Sequence, residues 1–186
     1  FDKNNRKTAC VSCQAGCPMG CAFCQTGRIG YARNLTPDEI VDQFFHLEAI
    51  CGKLDNIVFM GMGEPLLNLQ SIAKTIIILT HPQGRGLSHR RITLSTSGIC
   101  KGIYELADSA LEIRLAVSLT TADEALRAEL MPVTKSNPLK ELKKAIRYLN
   151  DKSGKRVTLE LALLKDVNTS RAAALQVSDF ARGLDV

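Results

Sequence analysis

Short apolar runs alternate with amphipathic segments along most of this 186-residue chain. The apolar runs have the length of buried strands, whereas the segments between them place apolar residues three or four positions apart, as helices do. Strands that alternate with helices predict a parallel sheet with right-handed crossover connections. The fold class is therefore α/β, and both an open doubly wound sheet and a partial barrel fit the pattern.

The pattern predicts about five strands and about five helices. In the first helix, Thr36 and Glu39 are spaced as a capping box. Val41, Phe44 and Phe45 follow at helical spacing and are expected to face the core. No strand follows the last helix, so a sixth strand is expected beyond Val186. The strands are expected at about residues 8–12, 56–60, 91–95, 113–118 and 157–164, and the helices at about 36–48, 69–80, 103–110, 138–149 and 170–182, with Asn137 as the cap of the fourth.

Composition and charge are those of a soluble globular protein. Hydrophobic residues make up 45% and charged residues 23%, and no apolar run approaches the roughly 20 residues that cross a bilayer. The first residues are polar, so a cytoplasmic location and no membrane contact are expected. The net charge of +5 permits an RNA partner without requiring one. Basic side chains placed to contact phosphates, or else to lie on a solvated surface, are Arg28, Arg33, Arg85, His89, Arg90 and Arg91.

The seven cysteines are unevenly placed, and five of them fall within residues 10–24. A secreted disulfide scaffold would spread its cysteines along the chain. In a reducing compartment, such clustering indicates metal or redox chemistry instead. The isolated Cys51 and Cys100 are expected to be small buried apolar residues, because free cysteine packs well in protein cores.

Three of the clustered cysteines, Cys17, Cys21 and Cys24, have the spacing C-x3-C-x2-C. Soft thiolates on one loop suit an iron–sulfur cluster, and three of them leave one iron of a [4Fe–4S] cluster open to a small molecule. The alternative is a zinc knot completed by Cys10 or Cys13, although zinc sites usually pair two C-x2-C halves and this chain has one. Glycines that let the backbone pass close to a bulky inorganic core, and so favour the cluster, are Gly16, Gly20 and Gly27.

Polar groups follow the predicted strands at the edge where α/β proteins place their active groups. Glu64 lies in the segment 61–65 after the second strand and is placed to accept hydrogen bonds from a ligand ammonium. In isolation this segment is more typical of a strand-to-helix turn, but the cysteine loop on the neighbouring strand favours ligand contact. Ser95 and Ser118 each end a strand, so both hydroxyls are expected to point into the same mouth.

The cysteine spacing, with Phe23 before the last cysteine, resembles the signature of radical S-adenosylmethionine (SAM) enzymes. The resemblance extends to the RNA adenine methyltransferases of the RlmN/Cfr group over nearly the whole chain. It implies a partial (β/α) barrel of the radical SAM type, with about five strands in this chain. It also makes residues 1–186 the core domain of a longer protein, without its N-terminal accessory domain and its C-terminal cysteine region. The segments that carry the resemblance are 10–17, 59–68, 90–98, 131–133 and 164–168.

The resemblance also implies which residues form the site. It makes Cys17, Cys21 and Cys24 the ligands of a [4Fe–4S] cluster. It makes Cys10, seven residues before Cys17, the catalytic cysteine that resolves a protein–RNA adduct by forming a disulfide; a buried strand cysteine is the alternative. The family usually has His at the position of Thr120, and Ser or Thr at that of Cys13. The residues implied to bind SAM are Gly63, Glu64, Ser95, Ser118, Leu119 and Thr120.

The implied activity is methylation of adenine C2 in 23S ribosomal RNA and in transfer RNA. An aromatic C2 carbon is too weak a nucleophile for direct methyl transfer, so one SAM and the cluster supply a 5′-deoxyadenosyl radical while a second SAM methylates a C-terminal cysteine. An external electron donor such as flavodoxin is implied, and residues 1–186 alone are expected to be an incomplete enzyme. Two alternatives stay open: methylation at C8, and a SAM- and cluster-binding relative that transfers no methyl group.

Overall fold

A computed structural model describes residues 2–3 and 6–186 and contains, within them, eight strands and seven helices. The strands are β1 (Asp2–Lys3), β2 (Arg6–Cys10), β3 (Gln14–Gly16), β4 (Tyr31–Asn34), β5 (Asn56–Phe59), β6 (Ile92–Thr96), β7 (Arg114–Ser118) and β8 (Thr158–Glu160). The helices are α1 (Gln25–Ile29), α2 (Pro37–Cys51), α3 (Leu69–Thr80), α4 (Cys100–Asp108), α5 (Glu124–Leu130), α6 (Leu139–Ser153) and α7 (Arg171–Ala181). Short 3₁₀ turns span Pro65–Leu67, His89–Arg91 and Pro132–Lys135.

The central sheet has the order β1-β2-β5-β6-β7-β8 among the described residues. The neighbouring pairs β2–β5, β5–β6, β6–β7 and β7–β8 are parallel, and β1 pairs with β2 in the antiparallel direction at the edge of the sheet. The predicted α/β class and the five parallel strands are therefore confirmed, as are the five predicted helices. Within the described part of the chain the sheet ends at β1 and β8 and is not closed into a barrel.

The two faces of this sheet differ in polarity because side chains alternate along each strand. On β5 and β6, Ile57, Phe59, Ile92 and Leu94 are buried and belong to the main apolar core, against which helices such as α2 and α3 pack. The residues between them are polar or partly exposed, and the parallel register places their neighbours on the same face of the adjacent strands. The helices therefore cover an apolar face, and the opposite face is more polar and includes Thr93 and Ser95 beside Val58 and Ala116.

Helix α2 begins with the predicted capping box. The Glu39 backbone N–H donates to Thr36 Oγ1 at 3.4 Å, and the Thr36 N–H donates to Glu39 Oε2 at 2.9 Å. The buried residues of this helix are Ile40 and Phe44, one helical turn apart, whereas Phe45 is 42% exposed. The predicted core face of α2 was therefore right for Phe44 and wrong for Phe45.

Among the residues that the structure describes, neither α2 nor any other helix is long and apolar enough to cross a membrane.

Asn137 does not cap the fourth predicted helix. Its Oδ1 accepts the backbone N–H of Cys100 at 2.8 Å, which fixes the start of α4 instead. The first N–H of α6, from Leu139, donates to the Glu124 carboxylate at 3.0 and 3.3 Å. Asn137 was predicted to bond to the start of the helix that follows it. In the folded chain its side chain bonds instead to the start of α4, which is distant in sequence.

The cysteine loop is held between the two strands of a small antiparallel sheet, β3 and β4, that the apolar pattern did not predict. Gly16 ends β3 with φ +82, and a Cβ there would lie 1.9 Å from the Gly30 carbonyl oxygen. The Cys17 N–H donates to that same oxygen at 2.9 Å. Glycine at position 16 is therefore required for the close approach that closes the loop.

Candidate cofactor site

A cavity of about 290 Å³ opens where the cysteine loop meets the carboxyl ends of β5, β6, β7 and β8. Parallel strands bring their carboxyl ends to one edge of the sheet, which is where α/β proteins bind ligands. Of the predicted site residues, the structure brings seven together around this cavity: Cys17, Cys21, Cys24, Gly63, Glu64, Ser95 and Ser118.

The cysteine loop is anchored to the domain by backbone hydrogen bonds. The Cys24 N–H donates to the Cys21 carbonyl at 3.0 Å, which tightens the loop on itself. The Ala22 N–H donates to the Leu130 carbonyl at 2.9 Å, at the end of α5. The thiols therefore meet the cavity from a loop that is fastened at both β3 and α5.

The charged forms of the Cys17 and Cys21 thiols are disfavoured in this loop. Burial and, after it, the charges of Cys17 and Cys24 raise the pKa of the Cys21 thiol to about 11. Burial also raises the pKa of Cys17, while the backbone N–H groups of Met19 and Gly63 act in the opposite direction. Bound metal cations deprotonate coordinating thiols outright. The donor set therefore fits a group that carries several positive charges close to these three sulfurs.

A zinc knot completed by Cys10 or Cys13 finds no support in this geometry. Cys13 is buried, its Sγ contacts the Met62 carbonyl at 3.7 Å, and burial raises its pKa to about 12. Within residues 2–3 and 6–186, no three His, Cys, Asp or Glu side chains surround a point where one metal ion would sit. Thiolates that each bind a different iron of a cluster need not converge in this way, so the cluster interpretation is retained.

Glu64 lines the cavity, but its carboxylate is engaged within the protein. It is 2% exposed. Oε1 accepts hydrogen bonds from Thr96 Oγ1 at 2.7 Å and the Leu66 N–H at 3.1 Å, and Oε2 accepts from the N–H and Oγ of Ser97 at 2.7 and 2.6 Å. Burial raises the pKa of Glu64, and these four donors act against that shift. A carboxylate has about four acceptor positions, and these four hydrogen bonds occupy them. Glu64 therefore holds the loop after β5 against the end of β6. This role differs from the direct ammonium contact expected from the sequence.

Gly63 presents backbone rather than side chain to the cavity. Its φ is +113, and a Cβ at this position would lie 2.7 Å from Gln14 Cβ and 2.8 Å from Cys13 Sγ. The next residue is held by the Glu64 N–H, which donates to Gln14 Oε1 at 2.8 Å. A side chain at position 63 would therefore push the loop after β5 away from β3.

Two predicted SAM residues, Leu119 and Thr120, are buried and do not line the cavity. Thr120 has φ 60, which is strained for a β-branched residue. Its carbonyl accepts Asn168 Nδ2 at 2.8 Å, and its N–H donates to the Glu160 carbonyl at 3.1 Å. Of the segment 118–120, only the first residue reaches the cavity, and the other two form the turn that follows β7.

Glu160 on β8 lines the cavity and was missed by the sequence analysis. Its Oε2 accepts the Ser95 hydroxyl at 2.9 Å, and no described residue donates to Oε1. The signal was a carboxylate inside a predicted strand, two residues after Thr158 and therefore on the same face. Since Glu64 is engaged elsewhere, Glu160 is a carboxylate of this cavity with an oxygen open to a ligand.

Thioethers make up much of the remaining cavity lining. Met19, Met60 and Met131 contribute from the cysteine loop, the end of β5 and the end of α5, respectively. The chain has four methionines in total, and the fourth, Met62, lies in the loop after β5. Flexible, polarizable thioethers adapt to bulky ligands of irregular shape.

Cys10 ends β2 and is exposed, but it does not line the thiol cavity. It lines a separate cavity of about 380 Å³ together with Leu47, Cys51 and Leu54. Cys51 is exposed at the end of α2, so the expectation that it is buried was wrong, whereas Cys100 is partly buried. All seven cysteines lie within residues 6–186 and are free thiols there.

Two of the predicted phosphate-binding residues are engaged by carboxylates. Both Nη atoms of Arg33 donate to Glu39 at 2.7 Å. Arg85 pairs with Glu48 at 2.8 Å and donates to the Leu54 carbonyl at 2.6 Å. The sequence could not separate these structural arginines from free ones. Of the other predicted residues, Arg91 is partly buried, and the exposed ones are Arg28, His89 and Arg90.

The fold and the site define an α/β protein that gathers three thiols of a C-x3-C-x2-C loop at the carboxyl edge of a parallel sheet. The chain belongs to the Radical SAM superfamily, which it matches over residues 11–176. Members of this superfamily use a [4Fe–4S] cluster and SAM, the two cofactors implied by the sequence motifs.

Similar proteins agree with the resemblance seen in the motifs. A Treponema pallidum (strain Nichols) protein named "Probable dual-specificity RNA methyltransferase RlmN" is 65% identical over 185 residues, which are 100% of this chain and 54% of that protein. A Treponema denticola protein of the same name is 70% identical over 170 residues, 91% of this chain and 49% of that protein. The crystal structure of a radical SAM methyltransferase from Sphaerobacter thermophilus has a TM-score of 0.95 at 40% identity and covers 100% of this chain and 55% of its own. The chain thus spans about half the length of the curated relatives it matches.

Proposed function

We propose that residues 1–186 are the radical SAM core of an enzyme that methylates C2 of adenine in 23S ribosomal RNA and in transfer RNA. One observation carries the proposal: the three thiols of the C-x3-C-x2-C loop line the same cavity as Gly63, Ser95 and Ser118. The names of the Treponema relatives support the choice of an RNA substrate and of methyl transfer.

Cys17, Cys21 and Cys24 would hold the cluster, since they are the thiols that line the cavity. When bound, the cluster and SAM supply the one-electron radical chemistry that lets an unreactive aromatic carbon accept a methyl group. The three cysteines are partly buried, and the anchored loop would keep their sulfurs in place. An external electron donor such as flavodoxin and a cytoplasmic location belong to the proposal.

The strand ends would position SAM beside the cluster. Gly63 offers backbone at close range, and the hydroxyls of Ser95 and Ser118 offer donors and acceptors from neighbouring strands. Glu160 adds a negative charge with one open oxygen, which suits a ligand that carries a sulfonium and an ammonium. The protein's contribution is therefore placement and charge complementarity.

Cys10 would resolve the protein–RNA adduct by disulfide exchange with a cysteine in another part of the full-length protein. Its exposure at the end of β2 supports this role, because a thiol must be accessible to attack or be attacked. No side chain of the described residues forms a disulfide with it here.

The test uses the full-length protein, purified without oxygen and supplied with iron, sulfide and a reductant. The measurements are 5′-deoxyadenosine formation and mass spectrometry of nucleosides from 23S ribosomal RNA and transfer RNA lacking the modification. We expect 5′-deoxyadenosine together with 2-methyladenosine. Methylation at C8 would replace the proposed position, and SAM cleavage without RNA methylation, or no cleavage at all, would overturn the proposal.

A further inference from the structure

Arg127, on α5, is 0% exposed and was not singled out by any sequence motif. Its guanidinium donates to oxygens that follow two neighbouring strands. Nη2 donates to the carbonyls of Ser97 at 2.7 Å and Ser118 at 3.1 Å, and Nε donates to the Leu119 carbonyl at 3.0 Å. Nη1 donates to Thr134 Oγ1 at 2.7 Å. One side chain thus joins the ends of β6 and β7 to the turn after α5.

The Arg127 charge has no ion-pair partner among residues 2–3 and 6–186. Glu124 lies one turn earlier on α5 and attracts the guanidinium, but its carboxylate accepts the N–H of Leu139. Burial of a charge without a partner is strongly unfavourable, so buried charges are almost always paired or bound to an ion. An anionic group is therefore expected near Arg127.

The cysteine loop lies against the same helix. The Ala22 N–H donates to the Leu130 carbonyl at 2.9 Å, three residues after Arg127. The Met131 N–H donates to the Arg127 carbonyl at 2.7 Å, and the Met131 side chain lines the cavity beside Cys21. The anion expected near Arg127 is thus the thiolate set of the cavity.

We propose that Arg127 is a positioning residue that fixes the cavity ends of β6 and β7 and supplies the buried positive charge that offsets an anionic thiolate-bound cluster. The inference rests on the proposed function, in which Cys17, Cys21 and Cys24 hold that cluster. Reduction adds one electron from the external donor and breaks no bond, so it makes the site more negative. A nearby buried cation stabilises the reduced form more than the oxidised form.

The two parts of this role are separated by two substitutions in the full-length reconstituted protein. Arg127→Met removes the charge, and we expect a more negative reduction potential of the cluster in an EPR-monitored titration. Arg127→Lys keeps the charge but not the planar fork that reaches both strand ends. We expect it to retain most of the potential while binding SAM about tenfold more weakly in equilibrium dialysis.

Arg85→Met is the matched control, because Arg85 is also largely buried and hydrogen-bonded, but its partners Glu48 and Leu54 do not line the cavity. The Arg127 partners Ser97 and Ser118 do line it. The control variant should lower the melting temperature without moving the potential. An unchanged potential in Arg127→Met, relative to this control, overturns the electrostatic role. Unchanged SAM affinity in Arg127→Lys overturns the positioning role.

If Arg127→Met does not fold or does not bind iron, Arg127→Lys alone tests the inference. A lysine variant with the SAM affinity of the parent then overturns the positioning role, and a lysine variant whose potential becomes clearly more negative although the charge is kept overturns the electrostatic role. A parent protein that binds no iron–sulfur cluster instead refutes the proposed function, so the two failures are distinguished by iron content and absorption of the unmutated protein.

Discussion

The two faces of the central sheet are made by alternate residues of the same strands, yet they are stabilised in opposite ways. On β6, Ile92 and Leu94 are completely buried in the apolar core, while Thr93 and Ser95, which alternate with them, are only partly buried. The apolar face is held by the hydrophobic effect, which is non-directional. The polar face is held by directed hydrogen bonds such as that from Ser95 to Glu160.

Because of this difference, substitutions on the two faces are expected to separate function from stability. A residue that contributes buried apolar area affects every property of the folded protein at once. A residue on the polar face, near the carboxyl ends of the strands, has a side chain whose removal changes the cavity more than the fold. Substitutions on each face are expected to show whether stability and ligand binding change separately or together.

The largest effect is expected for Cys17→Ala. It removes one of three thiols from the cavity, so the proposed cluster would lose a ligand. We expect iron content near background and no 5′-deoxyadenosine, with a melting temperature of the metal-free protein close to that of the parent. Cys51→Ala is the control, since Cys51 is exposed and lines another cavity. A Cys17→Ala protein that retains a full cluster would remove this thiol from the ligand set.

Ile92→Ala tests the apolar face. Deletion of a fully buried isoleucine side chain leaves a cavity in the core and is expected to cost about 2–5 kcal/mol of unfolding free energy. SAM affinity of the fraction that stays folded should not change. Chemical denaturation and SAM binding at low denaturant measure the two quantities. Weakened SAM binding without loss of stability would contradict the separation of the faces.

Ser95→Ala tests the polar face of the same strand. It removes the hydroxyl that lines the cavity and donates to Glu160. We expect SAM to bind about tenfold more weakly, while the unfolding free energy changes by less than about 1 kcal/mol. Thr93→Ala, two residues earlier on that face and outside the cavity, should leave affinity unchanged. Equal losses in both variants would show that the effect is general to the strand.

The smallest effect is expected at the partly exposed Glu39, which belongs to neither face of the sheet. Hydrogen bonds from the Arg33 side chain and, after it, from the Thr36 backbone lower the pKa of Glu39 to about 2, below the ordinary value of 4.5. A carboxylate with a lowered pKa in the folded state adds stability above pH 4.5, and this contribution is lost as the pH falls toward 2. The melting-temperature difference between the parent and Glu39→Gln should be small at pH 7, decrease with salt, and vanish near pH 2. A difference that persists at low pH would point to the capping geometry rather than the charge.

The parallel sheet could be predicted because its strands and helices have strong apolar periodicity, which depends only on local sequence. The edge at which Ser95 and Ser118 meet the thiols followed from the topology of parallel strands. The small sheet of β3 and β4 could not be predicted in this way, because its strands are short and polar and depend on the glycines that close the loop.

The hydrogen-bond partners of the charged and polar groups could not be predicted, because those partners lie far away in the sequence. Glu64 was recognised as a residue of the site, but its four hydrogen bonds within the protein were not. Arg127 and Glu160 reach the site from elements with no motif of their own. Asn137 is a residue type that commonly caps helices, but its side chain bonds to the backbone at the start of α4 rather than of α6.

The methionines around the cavity bear on what oxygen does to this protein. Met19, Met60 and Met131 line the space in which the cofactors are proposed to lie, and Met60 is 40% exposed. Oxidants convert a thioether into a polar, chiral sulfoxide that iron and sulfide cannot repair. Air damage to the purified protein is therefore expected to have two components, one reversed by rebuilding the cluster and one reversed only by methionine sulfoxide reductases.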